Sequence, residues 1–174
     1  MSEDFKSIEL VSKKYGTYYM LVSSQKYHLV IDGGLKWYLE WSEDATTFYA
    51  KRNVRRADGK QTTQYAHRLI MNCPPDLRID HKNHNGLDNR DDNLRIVTAS
   101  QSQYNRRKPR NAITSKYKGV CYYKHKKKWV ARINIDGKRK YLGYFDTEEE
   151  AARRYDFASA EYHEEFGLHN NLVE

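Results

Sequence analysis

At 174 residues, 39% hydrophobic and 13% aromatic, the chain has enough apolar content for one ordinary domain or two small ones with modest cores, which excludes a disordered polypeptide. Cys73 and Cys121 stand far apart without Cys or His partners at zinc-finger spacing, and no apolar run reaches signal-peptide or membrane-span length; the expectation is a cytoplasmic protein with no disulfide scaffold, no structural zinc and no membrane contact. The formal charge of +8 is concentrated: residues 106–141 hold 14 Lys and Arg against one acid, Asp136, leaving −5 for the rest, a one-sided block that points to a polyanion partner, nucleic acid, rather than to solubility.

Residues 1–66 read as β-rich. Short β-like segments at 8–11, 17–22, 27–31 and 37–41 are separated by Gly16, Ser23-Ser24 and Gly33-Gly34. Segments 48–55 and 61–65 form a hairpin pattern closed by Ala57-Asp58-Gly59-Lys60, where Asp-Gly supplies the positive φ of a tight turn. Lys51, Arg52, Arg55 and Arg56 on it either reach a phosphate backbone or simply discourage edge pairing. Residues 67–71 read as a short helical turn stopped by Pro74-Pro75, with His67 either a hydrogen-bonded structural residue or a member of a site.

The stretch 78–98, R-I-D-H-K-N-H-N-G-L-D-N-R-D-D-N-L-R-I-V-T, carries the chemistry. Two apolar-alternating segments flank an Asn/Asp/Gly-rich turn, a hairpin pattern that brings Asp80, His81 and Asn93 together. For phosphodiester hydrolysis Asp80 offers the hard oxygen that Mg²⁺ (or Mn²⁺) takes. His81, with an ordinary pKa of about 6.5, offers a base for water. Asn93 offers an amide that either fixes the imidazole or bonds across the loop. The remaining Asn and Asp of the turn, with His84, read as loop-closing residues.

The pattern D-H-x-N-x-N-G-L-D-N-R-x-x-N-L-R-x-V-T closely resembles the HNH endonucleases of the phage and intron-borne homing type, built on a ββα-metal hairpin. The resemblance implies that Asp80 is a metal ligand, His81 the general base and Asn93 the support of His81. The family's last metal ligand, an Asn or His four residues beyond the Thr, falls on Ser102, a weaker Mg²⁺ ligand than an amide or carboxylate oxygen. Asn105, three residues further and on nearly the same helix face, is the substitute.

Arg106-Arg107-Lys108-Pro109-Arg110-Asn111 is a basic, Pro-broken connector that fits a segment laid along a DNA groove. Beyond it, 117–123, 128–135 and 138–144 are candidate strands, the last two joined at Asp136-Gly137. Thr147 with Glu150 has capping-box spacing, and Ala151, Tyr155, Ala158, Tyr162 and Phe166 recur at helical spacing, an apolar face to lie across a sheet. By parity Trp129, Ala131, Ile133 and Ile135 share one face. Tyr123, Arg132, Asn134, Arg139 and Tyr141 share the other, donors and aromatics suited to base edges and phosphates, beside Lys124, Lys126, Lys127 and Lys128.

Y-K-G-V from Tyr117, K-W-V-A-R-I from Lys128, Y-L-G-Y-F-D-T from Tyr141 and E-E-A-A-R-R-Y-D from Glu149 resemble the ethylene-response-factor-type (APETALA-type) DNA-binding domain of plant regulators, which occurs fused to HNH nucleases in phages. This resemblance implies DNA contacts at Lys118, Tyr123, Arg132, Asn134, Arg139 and Tyr141, with Cys121 at a further position usually held by Arg. The expected architecture is α+β: a β-rich N-terminal region (1–66), a ββα-metal hairpin and helix (67–108), a basic linker (109–116), and a three-stranded antiparallel sheet packed on one helix (117–171). The expected protein is a metal-dependent, sequence-preferring endonuclease of double-stranded DNA belonging to a mobile element, phage-encoded and acting in a bacterial host. It is expected as monomer or homodimer, without a small-molecule cofactor; the alternative is a non-catalytic DNA-binding regulator derived from such a nuclease.

Overall fold

The computed structural model describes residues 4–108 and 114–170 and divides into two units, Met1–Thr98 and Ala99–Glu174. In the first unit, alternation in β1 (Phe5–Ser12) and β2 (Gly16–Ser23) sends Leu10, Met20 and Val22 inward, and Gly16 at φ 83° turns the hairpin. Tyr27–Ile31, expected as a strand, is instead a short helix, α1, that buries Val30. So short an apolar run has no period that separates a strand from a helical turn. The Trp37 indole settles the matter locally by donating to the Val30 carbonyl at 2.8 Å, the acceptor that a ladder would otherwise use.

The chain continues through β3 (Tyr38–Ser42), β4 (Thr47–Arg55) and β5 (Gln61–Tyr65), an antiparallel sheet with the expected turn at Asp58-Gly59, into α2 (Ala66–Ile70). Then come β6 (Arg78–His81), β7 (Asp88–Asn89) and β8 (Leu94–Val97). β6 and β8 form the expected hairpin, with Asp80 opposite Arg95 and His81 opposite Leu94. β7, inside the hairpin loop, pairs in parallel with β2, Leu21 opposite Asp88 and Val22 opposite Asn89. One core runs from Leu10, Met20 and Val22 through Trp37 and Ala50 to Ile70, Leu87 and Leu94, so the N-terminal strands and the hairpin fold as one body on both sides of residue 66.

The second unit begins with α3 (Ala99–Tyr104). Its sheet, β9 (Val120–Tyr123), β10 (Lys128–Ile135) and β11 (Lys138–Phe145), is antiparallel with β10 central, and α4 (Glu148–His163) starts at a complete Thr147/Glu150 capping box. Val120, Ala131 and Ile133 meet Ala151, Ala152, Tyr155 and Ala158 of α4 in the core. Gly119, at φ 75°, admits no side chain, because a Cβ there would sit 1.9 Å from the Tyr155 ring. Tyr104 closes the far end: its ring stacks on His163 at 3.7 Å, and its hydroxyl donates to Asp136 Oδ1 at 2.9 Å. No helix among the described residues is long and apolar enough to cross a membrane.

Candidate functional site

His81 ends β6, only 5% exposed. Its Nε2 lies 3.2 Å from Asn89 Oδ1; with Nε2 as donor, the lone pair remains on Nδ1. Asn89 is itself fully buried and fixed by the parallel pairing of β7 to β2, so the N-terminal hairpin holds the residue that orients the imidazole. Tyr49 and His67 pack on the same ring, with centroids 5.7 Å and 5.4 Å away. Burial pushes the His81 pKa below the usual histidine value, against the pull of the Asn89 bond and of the Asp80 and Asp88 carboxylates.

His67 is pushed further, to about 3, by burial first and then by His81 and Arg68. It is therefore neutral at any working pH, and its Nδ1 is buried with no hydrogen-bond partner. Its ring stacks on Tyr65, whose hydroxyl donates to Glu40 at 2.5 Å, the carboxylate that also takes Lys51 at 2.5 Å.

Asp80 Oδ2 accepts from Arg95 Nε at 2.8 Å and Nη2 at 2.7 Å across the hairpin. Asn93 bonds across the loop, Oδ1 accepting from the Asn83 amide at 3.0 Å and Nδ2 donating to the Asp88 carbonyl at 2.7 Å. Asp88 takes Asn83 and a two-pronged Arg90, and Arg90 holds its carboxyl below the usual range. The turn thus locks itself, and His84 at φ 62° belongs to it as expected. Gly86 is required because a Cβ there would lie 2.4 Å from the Phe48 carbonyl and 2.6 Å from the Tyr49 ring.

Ser102 and Asn105 belong to the second unit, Ser102 half-buried on α3 and Asn105 only 4% exposed just past it. Among the described residues no group of three or more His, Cys, Asp or Glu could hold a metal ion. What the hairpin does offer is one hard carboxylate oxygen pair at Asp80. That fits Mg²⁺, which keeps several waters and is held by one or two carboxylates together with substrate phosphate, and not a cation that needs an all-protein cage.

The second candidate surface is the outer face of the β9–β11 sheet. Arg132, Asn134, Arg139, Tyr123 and Tyr141 lie on it as parity predicts, with Asn134, Arg139 and Tyr141 exposed. Tyr144, three residues from Tyr141, joins them because the register slips between Ala131 and Arg132. Its signal in the sequence was Gly143, since glycine inside a strand marks a bulge. Lys126 stands over the Tyr144 ring at 4.4 Å, Lys127 is exposed at φ 51°, and Lys128 is tied to Asp146. Arg106 and Arg107 are exposed, whereas Arg110 lies outside the described residues.

Several expected phosphate contacts are instead internal. Lys118 Nζ donates to the Tyr104 carbonyl at 2.5 Å, and Lys108 Nζ donates to the Tyr117 and Val120 carbonyls at 2.7 and 2.8 Å, its pKa lowered by burial. Both cations satisfy backbone acceptors at the edge of their own unit, an arrangement their spacing in sequence does not reveal. On β4, Arg52 is buried against the Trp37 ring at 4.6 Å and donates to Gln64, and Lys51 is held by Glu40. Of that set Arg55 and Arg56 are exposed.

The AP2 domain family model matches residues 115–165. Over 50 residues, 28% of this chain and 12% of the relative, the chain is 48% identical to Ethylene-responsive transcription factor WRI1 of Arabidopsis thaliana. Over 57 residues, 33% of this chain and 13% of the relative, it is 44% identical to APETALA2-like protein 2 of Oryza sativa subsp. japonica. The chain thus spans only 12–13% of the length of these plant relatives. Over 165 residues, 94% of this chain and 80% of the relative, it is 27% identical to Uncharacterized HNH endonuclease L560 of Acanthamoeba polyphaga mimivirus. No solved structure matches.

Proposed function

We propose that the chain is a divalent-metal-dependent DNA endonuclease: the β6–β8 hairpin hydrolyses a phosphodiester, and the outer face of the second unit's sheet holds double-stranded DNA. The observation that carries this reading is His81, a buried neutral imidazole fixed by Asn89 beside the Asp80 carboxylate. His81 Nδ1 takes a proton from water as the water oxygen attacks phosphorus, and Asn89 keeps the ring in the tautomer that carries the basic lone pair on Nδ1. Asp80 would hold the ion, exchanging or sharing its bond to Arg95, whose guanidinium is then placed for a phosphate oxygen. Bound there, Mg²⁺ or Mn²⁺ supplies neutralisation of the charge that develops on the phosphate and the leaving oxygen. Ser102 and Asn105 are proposed as the further oxygen donors.

The test is nicking of supercoiled plasmid by the purified chain with Mg²⁺ or Mn²⁺. His81→Ala should lower the rate by about 10²–10⁴-fold, the contribution of a positioned base, while duplex binding in chelator stays unchanged. Because burial lowers the His81 pKa, the rate should hold as pH falls to about 6.5 and decline only below it. A chain that nicks no plasmid or phage DNA overturns the proposal.

One observation favours a second reading, a DNA-binding regulator without catalysis: Arg95 already occupies Asp80. Ser102→Asn separates the two. A large gain in metal-dependent nicking means the natural site is crippled, and duplex binding with no nicking by either protein supports the regulator.

A further inference from the structure

Strand parity alone would send Tyr141 and Tyr144 to opposite faces of β11. The bulge, where pairing passes from Ala131–Gly143 to Arg132–Tyr141, returns both to the outer face, and Gly143 takes the φ of 135° that accompanies it. Ring centroids of Tyr144 then lie 5.3 Å from Tyr141 and 5.9 Å from Tyr123. Tyr141 is 50% and Tyr144 41% exposed, while Val130, on the central strand between Tyr144 and Cys121, is fully buried.

We propose that this tyrosine row is a base-stacking platform for unpaired nucleotides, so that the surface takes single-stranded or locally opened DNA. The inference rests on the reading of this face as DNA-binding. Within an intact duplex the base faces are stacked on one another, and a protein in a groove meets only edges and phosphates. Arg132, Asn134 and Arg139 already supply donors for those. Exposed ring faces gain partners only where bases are unstacked, which is how aromatic side chains on a sheet hold single strands. Lys126, whose ammonium stands over the Tyr144 ring at 4.4 Å and must swing aside for a base on that face, supplies the positive charge that follows a phosphate backbone.

The test uses the full chain in chelator, so that nothing is cut, with a labelled mixed-sequence oligodeoxynucleotide of about 20 nucleotides, longer than one aromatic-lined site covers, and with its duplex. The single strand should bind, and Tyr141→Ala and Tyr144→Ala should each weaken it about 5- to 100-fold, the loss of one base stack. Tyr→Phe at either position keeps the ring and should bind like wild type. Crosslinking of a bromouracil-substituted single strand to the wild-type chain should map to Tyr123, Tyr141 or Tyr144, a readout independent of how well the alanine variants fold. Duplex binding without single-strand binding overturns the proposal while leaving the DNA-binding reading intact. So do phenylalanine variants that lose as much as alanine, or crosslinks elsewhere. Binding of neither probe overturns both.

Discussion

His67 was legible in the sequence only as an ambiguous histidine beside an apolar run; in the structure it is a half-buried ring between Tyr65 and His81 whose Nδ1 is buried and unpartnered. Its ordinary pKa is near 6.5 and its folded value is about 3. Between those values the unfolded chain binds a proton that the folded chain refuses, so stability is complete above about pH 6.5 and falls as pH drops toward 3, by at most about 1.4 kcal/mol per pH unit. His67→Phe should remove that share of the acid sensitivity. Urea midpoints of both proteins at about pH 7.5 and about pH 5 measure it, and an identical loss in both would show that His67 is protonated without cost. Asn89 carries the complementary lesson: it reads as one more loop-closing Asn, and only the pairing of β7 with β2 shows that it orients His81.

At the level of elements, what the sequence made legible was local. The β6–β8 hairpin, the β4–β5 turn, β10 and the α4 capping box follow from alternation, Asp-Gly and Thr-x-x-Glu, each decided within a few residues. What stayed hidden was non-local or irregular. The parallel contact of Leu21 with Asp88 joins segments far apart in the chain, Tyr27–Ile31 is too short to show a period, and the β11 bulge inverts parity beyond Gly143. Gly86 stands between the two classes, visible as a turn glycine but needed because β4 approaches it. Gly86→Ala must push the loop from Phe48 and Tyr49, an overpacking cost of about 1–3 kcal/mol. The same displacement loosens Tyr49 against His81, so nicking should fall in Gly86→Ala even at temperatures where circular dichroism shows it folded. A variant as stable and active as wild type would mean the loop yields freely.

On the scale of the whole molecule, the charge is sided rather than merely positive. Eight of the nine carboxylates at 99–170 lie at or after Asp146, on and around α4, while every Lys and Arg of that stretch except Arg153 and Arg154 precedes it in the sequence. Because α4 covers one face of that sheet, the opposite face keeps a positive field that steers a polyanion to it. Not every cation in the block belongs to that field. Lys118 is bound to the Tyr104 carbonyl, its own backbone N–H and carbonyl are clasped by Asn170, and the contact ties the end of α3 to the segment before β9. Arg139, exposed near the start of β11, faces the solvent. Arg139→Gln should therefore lower the slope of log affinity against log salt for duplex DNA by about 1, one phosphate contact, and leave melting unchanged. Lys118→Gln should do the reverse, leaving the slope alone while costing about 1.5–3 kcal/mol of stability, the range for a charge-assisted hydrogen bond. Salt titrations of binding and thermal melts of the two variants decide it, and a slope change in Lys118→Gln would mean that its bond to Tyr104 gives way when DNA arrives.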